Sequence, residues 1–456
     1  MSKKQKFNIS HYSKPFDNQA IFIVFCFLYV FAAIHYSNER VIFLDNALHI
    51  YNSILNNEIG IMAGRWPISI VRIPLFFGIK FNLPFNYLIL LYSLSHAFLI
   101  TGIGLVIKKT SSQRSLFLFL FTYLIVVGHT FFWCVSEIIP AILLTCLLHD
   151  SNKMRTSLNF AIIVLIIFSH PLAIIALTFL FSYELIIKNQ KGSITFLLFS
   201  SFIYLLKSKL FSNWYDTMKM GVLIDGLKEN PLQFVDFDSL RSFAQMKSVW
   251  MPLFFVFSFV LIYLIYNKGW KELLLYSSFC IGSLYLFIMS NPNHISTFYA
   301  ESNMYLISFF SGIVIIDKIK HTSYLDIILI PILAISVIKV LSLSDAYSRR
   351  LLYVTNLTDQ LTNQKNIILK NQIDEDLLQL EWGLPFETLI ISSKNKENLS
   401  KTLVALEKEK IQKHLNSKKL LNGMGGYFEI PSDHKYFDLD TSVYNIIELK
   451  GGPERK

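Results

Sequence analysis

Residues 153–191 read KMRTSLNFAIIVLIIFSHPLAIIALTFLFSYELIIKNQK. The stretch 157–187 is almost wholly apolar and overlong for one membrane helix, since about 20 residues already cross roughly 30 Å of hydrocarbon. Lys153 and Arg155 precede it, and Lys188 and Lys191 follow it. One span would put these basic clusters on opposite sides. Two short spans meeting at His170-Pro171 keep both on one side, as the positive-inside rule prefers. Pro171 supplies the break.

Working outward with the same logic gives candidate spans at about 19–36, 84–107, 115–134, 137–149, 157–170, 171–187, 193–207, 250–267, 271–290, 300–317 and 323–343. Lys3, Lys4 and Lys6 put the N-terminus inside. The inner loops are then Lys108-Lys109 to Arg114, Lys153 to Arg155, Lys188 to Lys191, Lys268 to Lys271 and Asp317 to Lys320. Each carries Lys or Arg. The expected fold is an all-α polytopic membrane protein of about eleven transmembrane helices over 1–343, followed by a small α+β soluble domain over 344–456. The expected location is the plasma (inner) membrane, with a cytoplasmic N-terminus and an outer, periplasmic C-terminus. The first run ends in His35-Tyr36-Ser37 without a small-residue cleavage signal, so it is expected to be a retained anchor.

Composition supports a bilayer as the solvent. The chain of 456 residues is 53% hydrophobic, with 40 Phe and 22 Tyr. Its mean hydropathy is +0.45. The net charge of +10 falls entirely on 1–343, because 344–456 holds equal numbers of basic and acidic groups. The excess therefore reports orientation and not nucleic-acid binding. The four cysteines lie in apolar runs without a CxxC pair and imply neither a disulfide nor a zinc site.

The first outer segment, 37–83, holds two amphipathic helices. One covers 45–58, with Leu48, Tyr51, Ile54 and Leu55 along a stripe. The other covers 66–80, with Pro67 near its start and Pro74 as a break. Both are expected to lie on the outer membrane surface. In the tail, 395–419 reads as helical, and 387–392 and 443–449 read as strands. The turn Gly423-Met424-Gly425-Gly426 lacks phosphate-loop spacing.

Ionisable groups beside spans are costly to bury and need a partner, water or a task. Asp45 either caps the helix behind it or serves as a general base on a hydroxyl. His49 lies one turn on, on the same face. Arg65 and Arg72 flank the second surface helix, where their planar forks suit a phosphate. Glu137 occupies the next outer turn. His170, His294, Tyr299 and Glu301 complete the outer set, with His129 inside a span. The plain structural readings are a cap for Asp45 and Glu301, surface cover for His49, lipid-headgroup contact for Arg65 and Arg72, a hairpin tip for Glu137 and an interior histidine for His129 and His170. No hydrolase or ATPase motif is present.

The pattern Phe43-Leu44-Asp45-Asn46-Ala47-Leu48-His49, then Gly64-Arg65-Trp66-Pro67, with Glu137 in the following outer turn, resembles the GT-C superfamily of integral membrane glycosyltransferases. That resemblance implies a polyprenyl-phosphate sugar donor, a glycan or lipid acceptor, Asp45 as base and Glu137 beside it. His49, Arg65, Arg72, His170, His294, Tyr299 and Glu301 would contact substrate. The acidic pair common in that superfamily is reduced to Asp45-Asn46, so no cofactor is expected and a divalent metal is not supported. The tail has no WWD-type motif. The alternatives are a non-catalytic multi-pass envelope assembly protein, or a transporter or flippase. A transporter would place its ionisable groups near the midplane, often in repeated halves.

Overall fold

A computed structural model describes residues 18–232 apart from 57, 62–63, 135 and 150–155, then 247–290, 297–319, and 322–447 apart from 379, 395–398, 423–425, 430–434 and 440–441. The basic clusters at 3–6 and 153–155, the turn at 423–425 and His294 lie outside the described residues.

The chain is predominantly helical. Helix α1 (Asn18–His35) leads through α2 (Ser37–Val41) to α3 (Leu44–Asn56). A 3-10 helix (Trp66–Arg72) passes into α4 (Ile73–Lys80), with a proline at the start of each. Next come α5 (Phe85–Thr110), α6 (Gln113–Thr130), α7 (Ile138–Thr145), α8 (Thr156–Ser169), α9 (Ala173–Ile186), α10 (Ser193–Leu210) and α11 (Trp214–Glu229). Helices α12 (Lys247–Tyr266), α13 (Trp270–Ser290), α14 (Thr297–Lys318) and α15 (Thr322–Asp359) follow. Among the described residues, five helices are long and apolar enough to cross a membrane, namely Asn18–His35, Phe85–Thr110, Ser193–Leu210, Trp270–Met289 and Ile327–Asp359. Shorter apolar helices cover Thr156–Ser169, Ala173–Ile186 and Met251–Tyr266.

The stretch 157–187 is broken where the proline predicts. Helix α8 stops at Ser169 and α9 starts at Ala173. The expected span at 137–149 is regular helix only over the eight residues Ile138–Thr145, about 12 Å by helical rise. Successive turns bonded from Cys146, Leu147 and Leu148 extend it. The Ser115 hydroxyl then donates to the His149 carbonyl at 2.8 Å, so the segment returns to the end of α6 where that helix began. Helix α15 runs for 38 residues, so the boundary placed at 343/344 falls inside a continuous rod.

Beyond α15 the chain forms a parallel three-stranded sheet in the order β2-β1-β3, with β1 Lys365–Leu369, β2 Thr402–Leu406 and β3 Asn445–Ile446. Two tail expectations are corrected. Residues 387–392 belong to the helix Leu384–Lys394. Its residues from Leu384 to Ser392 are all buried, and a short run apolar on every side carries no period to separate helix from strand. Residues 402–406, inside the expected helix 395–419, form β2, and among the described residues there only Lys408–His414 is helical. Of the strand expected at 443–449, residues 445–446 form β3, and 448–449 lie outside the described residues.

There are two main cores. One fills the helical bundle. The other joins α3, α4 and the start of α5 to the sheet domain, through Ile50, Tyr51, Ile54, Leu384, Phe386 and Phe437. Tyr51 is wholly buried, packs its ring at a tilt against Phe386 and Phe437, and its hydroxyl donates to the Glu429 carbonyl. Helix α3 is therefore clamped under the C-terminal domain, which corrects its placement on an open membrane surface.

Candidate functional site

Helix α3 begins at Leu44, so Asp45 sits inside its first turn and does not cap it. Among the described residues Asp45 makes no hydrogen bond and no ion pair. Asp45 is exposed, yet the protein packed around its carboxyl desolvates it. Desolvation, then the nearby charge of Glu137, pushes its pKa up to about 6. A carboxylate titrating there is a stronger proton acceptor than an ordinary one and stays ionised at neutral pH.

One turn along α3, His49 is buried. Its Nδ1 lies 2.6 Å from Nη2 of Arg72 and 3.3 Å from the Tyr92 hydroxyl. Guanidinium can only donate, so Nδ1 carries the lone pair and Nε2 the proton. Burial, then the charge of Arg72, holds the imidazole pKa well below its usual range and keeps it neutral. Arg72 is 8% exposed and also donates to the Gly60 carbonyl. Among the described residues it has no carboxylate partner.

Arg65 differs. Its Nη1 meets Oε2 of Glu137 at 2.5 Å, and its Nη2 meets Oδ1 of Asp216 at 3.1 Å. Asp216 is fixed in turn, because Asn213 caps α11 by accepting from the Asp216 N–H and donates its own amide to Oδ2. Two carboxylates thus neutralise Arg65, and Arg72 retains its charge. A small cavity of about 10 Å³, room for one water, lies among His49, Arg65, Arg72, Tyr92, His96 and Glu137. Among the described residues, the buried Nε2 atoms of His49 and His96 and Nε of Arg65 have no hydrogen-bond partner. The bulk of any ligand must lie outside this recess.

Glu301, near the start of α14, is surrounded by Ser136 and the charges of Glu137, Asp45 and Arg65. His170 lies within electrostatic reach of Arg65 and Lys207, and its Nδ1 accepts from the Leu172 N–H at 3.2 Å. Seven of the sequence-predicted residues, Asp45, His49, Arg65, Arg72, Glu137, His170 and Glu301, therefore share one neighbourhood. Tyr299 falls in the first turn of α14, but its side chain lies outside the described residues. His129 stands apart, 3.2 Å from Nζ of Lys339. Sequence reasoning missed Tyr92, His96 and Asp216. The i, i+4 spacing of Tyr92 and His96 in an otherwise apolar span was the available signal. Among the described residues, no three His, Cys, Asp or Glu side chains gather as metal ligands would.

Comparison of the chain with protein-family models, curated proteins and solved structures finds no match.

Proposed function

We propose that the chain is a membrane glycosyltransferase of GT-C type, moving a sugar from a polyprenyl-phosphate donor to a hydroxyl acceptor on a glycan or lipid at the outer face. The carrying observation is that four separate segments converge: Arg72 and Glu137 line one recess, and Asp45 and Glu301 lie within electrostatic reach of Glu137. Eleven membrane crossings are proposed, with the N-terminus cytoplasmic and the sheet domain outside. The basic inner loops and the return of 138–149 to the level of Ser115 support that count.

In this reading Arg72, uncompensated and beside the N–H of neutral His49, receives the donor phosphate. Arg65 is already paired and holds Glu137 in place. The acceptor oxygen attacks the anomeric carbon as the bond from that carbon to the phosphate oxygen breaks, with inversion. Polyprenyl phosphate leaves with the electron pair, and Asp45 takes the hydroxyl proton. No nucleotide is needed.

Binding of a polyprenyl-phosphate sugar to purified protein tests the donor assignment. The parent should bind, and Arg72→Gln should bind at least about tenfold more weakly, the loss of one charge-assisted hydrogen bond. A parent that binds no such lipid overturns the reading in favour of a non-catalytic envelope assembly protein.

A further inference from the structure

The first turn of α3 is held from the far end of the chain. The Leu44 N–H, an orphan donor at a helix start, donates to Oε1 of Glu387 at 2.7 Å, across 343 residues of sequence. Glu387 is fully buried. The same oxygen accepts from Nη2 of Arg350 at 2.8 Å, and among the described residues Oε2 has no partner. Arg350 is itself fixed, since its Nε donates to the Leu378 carbonyl at 3.3 Å and its guanidinium lies 4.8 Å from the Phe43 ring centre. Gly383 closes the arrangement. A Cβ there would stand 2.8 Å from Cα of Leu44, so only glycine lets the two backbones approach this closely. Leu44 has φ of 41°, a region that L side chains rarely adopt. Such a conformation persists only where its surroundings over-determine it. The residue it introduces is Asp45.

We propose that Glu387, backed by Arg350 and seated by Gly383, is a positioning residue that fixes Asp45 by capping α3 from the C-terminal domain. This rests on the reading of Asp45 as the base. The domain is then a working part of the site, because the direction of the Asp45 side chain is set by a carboxylate that the domain supplies. A small displacement of a reacting group costs turnover much more than binding.

The test uses the full-length protein in detergent or proteoliposomes. Removing Glu387 alone strands the Arg350 charge, so Glu387→Leu is combined with Arg350→Met, an exchange that buried pairs tolerate. Gly383→Ala supplies an independent perturbation without a charge change. Glu387→Gln, again combined with Arg350→Met so that no charge is stranded, keeps an acceptor oxygen for the Leu44 N–H. Amide exchange of the peptide covering Leu44 to Ala47 is followed by mass spectrometry, with kcat and KM for transfer alongside. The paired variant and Gly383→Ala should exchange there about tenfold faster or more and lose about tenfold or more in kcat, with KM within about twofold. Glu387→Gln with Arg350→Met should recover most of both. Parent-like exchange and kcat in Gly383→Ala and in whichever other variant folds would overturn the proposal. Faster exchange in a parent background that never transfers sugar overturns the role of Asp45 and leaves the cap standing. Normal transfer with unchanged exchange does the reverse.

Discussion

At the scale of single residues, the two arginines of the first outer segment have different tasks. Arg65 compensates Glu137 and Asp216, so Arg65→Gln leaves two partly buried carboxylates unpaired and should cost about 2–4 kcal/mol in stability. Arg72→Gln should cost donor binding and much less stability. Thermal unfolding and lipid binding, measured on both variants, separate them. Reversed results would move the phosphate to Arg65. The raised pKa of Asp45 predicts a pH profile. Its base form accumulates as pH rises through about 6, so transfer should climb from acid and reach half its plateau near there. A rate flat from pH 5 to 7 would exclude Asp45 as the base. These residues were legible because charged groups are scarce in an apolar chain and stand out in its outer segments. Tyr92 and His96 were missed although their i, i+4 spacing marks one face of α5, since that spacing alone cannot tell which face meets a cavity. Glu387 was invisible for a different reason. Its partner is a backbone N–H distant in sequence, which no local pattern encodes.

At the scale of elements, helix breaks were more legible than element type. Pro171 ended α8 as expected, because a missing N–H and a fixed ring act locally whatever the surroundings. The tail misled, since short apolar runs fit helix or strand and tertiary packing decides. Helix α3 was found within two residues, but its environment was not. Its stripe was assigned to lipid and is instead covered by Phe386 and Phe437. That contact carries a prediction. Tyr51→Ala removes a wholly buried ring and should lower stability by about 3–5 kcal/mol, read as the unfolding midpoint of the purified protein. A change below about 1 kcal/mol would mean that the domain does not seal α3.

At the scale of the whole molecule, the account needs the basic loops on one side and the recess on the other. Reporter fusions at positions 190 and 400 should report opposite compartments, the first cytoplasmic and the second outer. The same compartment for both would break the topology and with it the placement of the site. The central claim is chemical, and the most direct measurement is sugar release. Purified protein in proteoliposomes is supplied with a labelled polyprenyl-phosphate sugar and a membrane extract as the acceptor source, and free polyprenyl phosphate is quantified for the parent and Asp45→Asn. The account predicts that the parent releases polyprenyl phosphate, while Asp45→Asn binds the donor normally, stays folded and releases it at least about a hundredfold more slowly. Equal release by parent and variant would contradict it.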